Sequence, residues 1–286
     1  MVLSRREFVG GAAALAASAV VPGISMGAAA KPNSKFNGVQ IGAITYSFRS
    51  MPGSAEDILG YCQKCGLSSV ELMGGPAEGY ARKAGGSDVI AGFKALRKFY
   101  NDAGVNIHIV KFGNIGDRNV SDEQIEYYFE AAKAVGAMGI TREISDEAAK
   151  RLGPIADKHK IWIGFHNHTQ LTPTLYDGPI LSYGKYLGIN LDIGHYVAGT
   201  NESPLPLIEK HHERIISLHL KDRKVNNGAN MPFGEGDTPV ALVLQLMKRR
   251  KYTFPADIEL EYRVPDGSDA VAEVAKCVQF CRTALA

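Results

Sequence analysis

From Val39 onward, short runs rich in β-branched and apolar residues alternate with longer stretches whose apolar positions recur at helical spacing. That alternation predicts strand–helix units around a parallel sheet. The strand runs fall at 39–46, 68–73, 105–111, 138–143, 161–166, 188–192, 215–220 and 257–262. Eight strands in about 250 residues predict a single-domain (β/α)8 TIM barrel over 31–286. A doubly wound open sheet is the alternative, and the lack of a glycine-rich dinucleotide fingerprint after the first run counts against it. Helix limits are marked by Ser54 and Gly66, by Ser121 and Gly136, by Ser145 ahead of Asp146 and Glu147, and by Gly104 closing a segment that starts at 87. The stretch after Asp177 carries Gly178, Pro179 and Gly184 and predicts a short or broken helix. No Pro/Ser/Gly-rich linker divides 31–286.

Residues 1–30 have a different pattern. Ser4-Arg5-Arg6-Glu7-Phe8 precedes the apolar run Val9 to Val21 and then Ala28-Ala29-Ala30. This resembles a twin-arginine export signal. The resemblance implies cleavage near residue 30, passage through the twin-arginine translocation machinery in the folded state, and a periplasmic destination. An uncleaved anchor is the alternative. The apolar run is shorter than the ~20 residues of a membrane span, and Gly10, Gly11 and Pro22 weaken it as a helix.

Composition narrows the partners. Lys plus Arg total 32 against 30 Asp plus Glu, a formal charge of +2, so no broad basic field invites nucleic acid. A small molecule is the expected ligand, and a homo-oligomer stays open. Four cysteines are too few for a disulfide scaffold in a chain that can bury a large core. Cys62 and Cys65 sit on the first predicted helix and Cys277 and Cys281 on the last. They read as buried small side chains, with an interhelical disulfide or a thiolate zinc site as alternatives.

Chemistry in such a barrel collects where the strands end. Those ends carry Glu71, Lys111, Glu143, His166 and His168, Asp192 with His195 close behind, His219 with Asp222 behind, and Glu259 with Glu261. Unpaired charge converging on one mouth is costly, and a divalent cation removes that cost. The expected ligands are Glu143, Asp192, His219 and Glu259, from strands four, six, seven and eight. Glu261, two residues from Glu259 on the same strand, is expected to face the same way and to touch substrate. Mixed oxygen and nitrogen donors suit Mn²⁺, Mg²⁺, Co²⁺ or Zn²⁺.

The most specific pieces are His166-Asn167-His168, Leu191-Asp192-Ile193-Gly194-His195, His219-Leu220-Lys221-Asp222-Arg223, Phe233-Gly234-Glu235-Gly236-Asp237 and Ile258-Glu259-Leu260-Glu261. With them the chain resembles the sugar phosphate isomerase/epimerase superfamily of xylose-isomerase-like barrels. The resemblance implies one divalent metal, commonly Mn²⁺, and a carbohydrate substrate. It also implies that the two metal-bound glutamates, here Glu143 and Glu259, act as paired acid and base on an enediolate, and that His195 contacts substrate. Lys111, His166, His168 and Asp222 are further substrate-contact candidates around the same mouth.

The expected activity is therefore a metal-dependent sugar isomerase or epimerase. The residues after Glu143 lack the further glutamate and lid pattern of a ketose 3-epimerase, so a metal-dependent lyase or hydratase acting on 3-keto-glycosides is a second expectation. A non-catalytic secreted sugar-binding barrel is a third. A DNA-repair role would want a basic groove and is the weakest.

Overall fold

The protein is described by a computed structural model over residues 31–286; the expected export signal at 1–30 lies outside the described residues. The runs read as strands form β1 (Val39–Ile44), β2 (Ser69–Met73), β3 (Asn106–Lys111), β4 (Gly139–Glu143), β5 (Trp162–His166), β6 (Leu187–Asp192), β7 (Ile215–Leu220) and β8 (Ala256–Ile258). Neighbours pair in parallel, and β8 pairs in parallel with β1, closing an eight-stranded barrel and excluding the open sheet. Strand β8 ends at Ile258, so Glu259 and Glu261 lie just beyond it rather than inside a strand reaching 262. The backbone still continues the line, since Glu259 N donates to Leu220 O at 3.0 Å.

The helices around the barrel are α1 (Ala55–Cys65), α2 (Gly74–Gly85), α3 (Val89–Asp102), α4 (Asp122–Val135), α5 (Asp146–His159), α6 (Ile193–Thr200), α7 (Leu205–His211), α8 (Val240–Arg250) and α9 (Ala270–Ala284). The local signals act as expected. Ser54, Ser121 and Ser145 each accept a hydrogen bond from a backbone N–H of the first turn, and Gly66 and Gly136 take the left-handed conformation that ends α1 and α4. After Asp177 the chain makes a 3-10 turn at Pro179–Leu181 in place of a regular helix. Helix α2 was not expected from Gly-Gly-Pro-Ala-Glu-Gly, which is poor in helix formers. It packs so tightly on α3 that a Cβ on Gly92 of α3 would lie 1.9 Å from Ala81 O and one on Gly85 would lie 2.8 Å from Gly92 N, whereas Gly75 and Gly79 face open space. No described helix is long and apolar enough to cross a membrane.

The four cysteines are buried and unpaired; α1, which carries two, packs on α9, which carries the others. Burial raises the Cys65 and Cys277 thiols to about 12, which leaves them inert rather than poised for redox chemistry.

At the strands' N-terminal end Ile216 fills the interior beside three glycines. The β6–β7 register steps from Ile189↔Ile215 to Asn190↔Ser217, leaving Ile216 as an inserted residue. Its side chain reaches the inward faces of Gly139, Gly164 and Gly188 on β4, β5 and β6. A Cβ on Gly164 would lie 2.5 Å from Ile216 Cδ1. Gly164→Ala is therefore expected to cost about 1–3 kcal/mol through overpacking, and Ile216→Val in the same chain to recover part of it. Chemical denaturation of the single and double variants checks this, and strictly additive losses would contradict it.

Candidate active site

The inward positions alternate along each strand, so residues two apart share the interior. On β7 these are Ser217 and His219, followed by Lys221; on β6, Asn190 and Asp192; beyond β8, Glu259 and Glu261. At the mouth they converge with His166 of β5. His166, Asp192, His219 and Glu259 each present a ligand atom within 4.8 Å of the others, and all four are buried. Three belong to the expected metal set. The fourth place, expected of Glu143, is taken by His166.

Glu143 points elsewhere, toward Lys111 and His168. Its Oε1 accepts from Lys111 Nζ at 2.7 Å and its Oε2 lies 2.7 Å from His168 Nε2. These two side chains draw the carboxylate outward to the rim, where 39% of the side chain is exposed. Burial works against ionisation, but the His168 contact, the His166 ring and Lys111 hold the carboxyl well below the usual range. Glu143 is thus an ionised, partly accessible carboxylate beside the inner four.

Beneath them runs a chain of opposite charges. Glu71 Oε2 accepts from His219 Nε2 at 2.9 Å, and Glu259 Oε2 lies 2.9 Å from His219 Nδ1. Burial would raise the Glu71 carboxyl, yet His219 and a hydrogen bond from Thr141 bring it down to about 2. The two carboxylates in turn overcome burial and raise His219 well above the ordinary histidine value. Lys221 completes the balance: its Nζ is 2.9 Å from Asp192 Oδ2, 3.1 Å from Glu259 Oε2 and 2.8 Å from Glu261 Oε2. Glu71 was read at a strand end but given no role, and Lys221 only as part of a motif. Lys221 stands two positions after His219, and that spacing alone could have placed it in the mouth.

Side-chain and backbone contacts fix the donors in place. Asn190 Oδ1 lies 2.8 Å from His166 Nδ1, which puts the proton on Nδ1 and turns the Nε2 lone pair toward the mouth. Burial and the nearby His219 charge lower His166 to about 4, so the ring is neutral. Asp192 caps α6, its Oδ1 accepting from His195 N at 2.6 Å, which leaves Oδ2 for the site. Asn167 pairs with the Asp192 backbone in both directions at 3.0 Å.

His195 lies between two cations, with Nε2 2.9 Å from Lys221 Nζ and Nδ1 2.8 Å from Arg223 Nη1. Burial, then Lys221, lowers it to about 3. Glu261 joins the site through Lys221, as its shared face with Glu259 anticipated. Asp222 departs from expectation: instead of facing substrate it accepts backbone N–H bonds from Gly234, Gly236 and Thr238 at 2.8, 3.0 and 3.1 Å. It anchors the Gly-Glu-Gly loop, and a Cβ on Gly236 would lie 1.9 Å from its Oδ1.

The residues fit a divalent ion. Asp192 Oδ2 is buried without an aligned hydrogen-bond donor, Lys221 lying near it but off-axis. Two carboxylates and two imidazoles are a borderline-to-hard donor set, and Glu71 behind His219 is the carboxylate–histidine support that metal ligands favour.

A putative L-ribulose-5-phosphate 3-epimerase, UlaE, of Shigella dysenteriae is 30% identical over 111 residues, which cover 37% of this chain and 38% of that protein. The chain therefore matches well under half of that relative's length. The fold is similar to that of a probable 3-DHS dehydratase, AsbF, of Bacillus anthracis (TM-score 0.67, 16% identity, 84% of this chain and 98% of that one). It is also similar to IolI protein with a bound zinc atom (TM-score 0.63, 15% identity, 86% and 98%) and to a sugar phosphate isomerase/epimerase of Parabacteroides distasonis (TM-score 0.61, 19% identity, 85% and 93%). The family model described as xylose isomerase-like TIM barrel matches residues 59–282, and with the closed barrel and its polar mouth this chain belongs to that family.

Proposed function

We propose that this protein is a divalent-metal-dependent isomerase or epimerase of a sugar or keto-sugar, working by proton transfer next to a carbonyl. The observation that carries the reading is the buried group His166, Asp192, His219 and Glu259 beside the ionised Glu143. A divalent ion held by the four would polarise the substrate carbonyl and acidify the adjacent C–H, and Mn²⁺ suits the donor set. Glu143 accepts the proton at carbon, kept ionised and aimed by Lys111 and His168. Glu259 lies across the mouth, β4 and β8 being four strands apart in a ring of eight, and after taking a proton from solvent it would return that proton on the opposite face. Lys111, His168 and His195 bind and orient the outer oxygens. A lyase shares the first step, and the partly exposed His168 beside Glu143 favours it as a second reading because a leaving group needs an acid. The Arg5-Arg6 segment supports export by the twin-arginine route to the periplasm.

Glu143→Gln is expected to lower solvent-deuterium incorporation into accepted ketoses by about 10²–10⁴-fold while retaining the ion. Lys111→Ala should cost about 1–3 kcal/mol in kcat/KM, the scale of an unmade polar contact. Exchange surviving in Glu143→Gln would remove Glu143 as the base; elimination products without exchange into recovered substrate would favour the lyase.

His219 sets a pH dependence. Its pKa is raised in the folded protein, so its contribution to stability is complete below the unfolded value of about 6.5 and is lost as pH rises through the folded value. The metal-free protein should therefore lose melting temperature as pH is raised above ~6.5. Ligation requires a free ring nitrogen, so ion binding should release a proton and tighten with pH. Thermal melts and calorimetry in buffers of different ionisation enthalpy check both, and pH-independent metal affinity would contradict the assignment of His219.

A further inference from the structure

Lys221 has more partners than it can serve. Its Nζ lies 2.9 Å from Asp192 Oδ2, 3.1 Å from Glu259 Oε2, 2.8 Å from Glu261 Oε2 and 2.9 Å from His195 Nε2. An ammonium has three protons for these four acceptors, so one contact goes without a proton of its own. Asp192 Oδ2 is the one left over, buried with no donor aligned on it. Glu259 Oε2 already has His219 Nδ1 at 2.9 Å. The partners also differ in surroundings. Asp192 and Glu259 belong to the inner group, whereas Glu261 stands nearer solvent with 22% of its side chain exposed.

We propose that Lys221 is a built-in competitor of the divalent ion: its ammonium neutralises Asp192 and Glu259 in the metal-free protein, and it withdraws to Glu261 and His195 when the ion binds. The inference rests on the divalent-ion reading above and adds the residue that sets the ion's affinity. An ammonium touching two carboxylates cannot keep its place beside a divalent cation on the same two groups, because like charges at such distances repel strongly in a buried site. Withdrawal needs little movement. Lys221 reaches its partners on a flexible four-carbon stem, and Glu261 Oε2 and His195 Nε2 are already in contact with Nζ.

The arrangement has two consequences. The empty site keeps its buried carboxylates paired, so the barrel stays folded without the ion. In return the ion must outcompete the ammonium, so its affinity is lower than the same four donors would give without a lysine. Glu261 then has a role separate from the inner four: it is the seat that receives the displaced charge.

A double-variant cycle on ion affinity tests the exchange. Mn²⁺ binding is measured by calorimetry for the unsubstituted chain, Lys221→Met, Glu261→Gln and the double variant, and each is melted with and without Mn²⁺. Lys221→Met is expected to bind Mn²⁺ about tenfold tighter or more. It should also melt below the unsubstituted chain when metal-free and gain more from Mn²⁺, and a Lys221→Met chain that folds only with Mn²⁺ is the extreme of the same result. Glu261→Gln should weaken binding about three- to tenfold while Lys221 is present, and less than about twofold in Lys221→Met, because Glu261 acts only on the displaced ammonium. Equal Mn²⁺ affinity with and without Lys221, no stabilisation of Lys221→Met by Mn²⁺, or the same loss from Glu261→Gln in both backgrounds would overturn the exchange and leave the ion site standing, provided the unsubstituted chain binds Mn²⁺. Failure of all four chains to bind Mn²⁺ would overturn the divalent-ion reading, and the exchange with it.

Discussion

Carboxylates placed inside a barrel must be met by cations, and that requirement organises this molecule from its middle layer to its mouth. Glu71, Asp192 and Glu259 are almost wholly removed from water. Left unpaired, each would cost several kcal/mol or take up a proton. His219 bridges Glu71 and Glu259, and Lys221 gathers Asp192, Glu259 and Glu261, so the charge is balanced by side chains from β7 and its C-terminal extension. A divalent ion would enter this arrangement as an exchange of one cation for another rather than as the filling of an apolar hole. The site is therefore rigid and electrically prepared before any substrate arrives.

Stability and chemistry occupy opposite ends of the strands. At the N-terminal end, Ile216 fills the space left by three glycines, and a buried chain from Ser69 through His108 to Asp257, at 2.8 Å per step, ties β2, β3 and β8 together. At the C-terminal end the polar side chains that do not face the mouth serve to hold those that do. Asp222 clamps the 234–238 loop through its backbone, and Asn167 copies a backbone pairing to fix the end of β6. The outward pull of Lys111 and His168 on Glu143 separates its carboxylate from the four clustered donors, among which the sequence reading had placed it.

Much of this was legible along the chain because it depends on near neighbours. Alternation of apolar runs marks the strands, since a buried parallel strand must be apolar on its outer face wherever it lies. Serine caps and left-handed glycines mark helix limits because the groups they satisfy are within a few residues. Asp192, His219 and Glu259 were readable as convergent because each stands at or beside the end of a strand, and a closed barrel brings all strand ends together. Helix α2 was not readable: its glycines disfavour a helix locally, and only the tight fit of Ala81 and Gly85 against Gly92 of α3 shows that packing holds the stretch helical.

What the sequence determined by itself was the set of strands, their closure into a barrel and the identity of the polar residues at its mouth. Periodicity, capping chemistry and strand order are properties of the chain. Tertiary structure decided which way each of those side chains turns. Glu143 and His166 end adjacent strands, and the sequence reading gave the ion to Glu143 and the substrate to His166; in the fold Lys111 and His168 draw Glu143 outward and Asn190 aims His166 inward. Asp222 and Lys221 are neighbours in one motif, yet one is spent on a loop and the other fills the centre of the site. Those choices are rotamer choices set by charges and hydrogen-bond partners many residues away in sequence, and they exist only once the strands have been brought side by side.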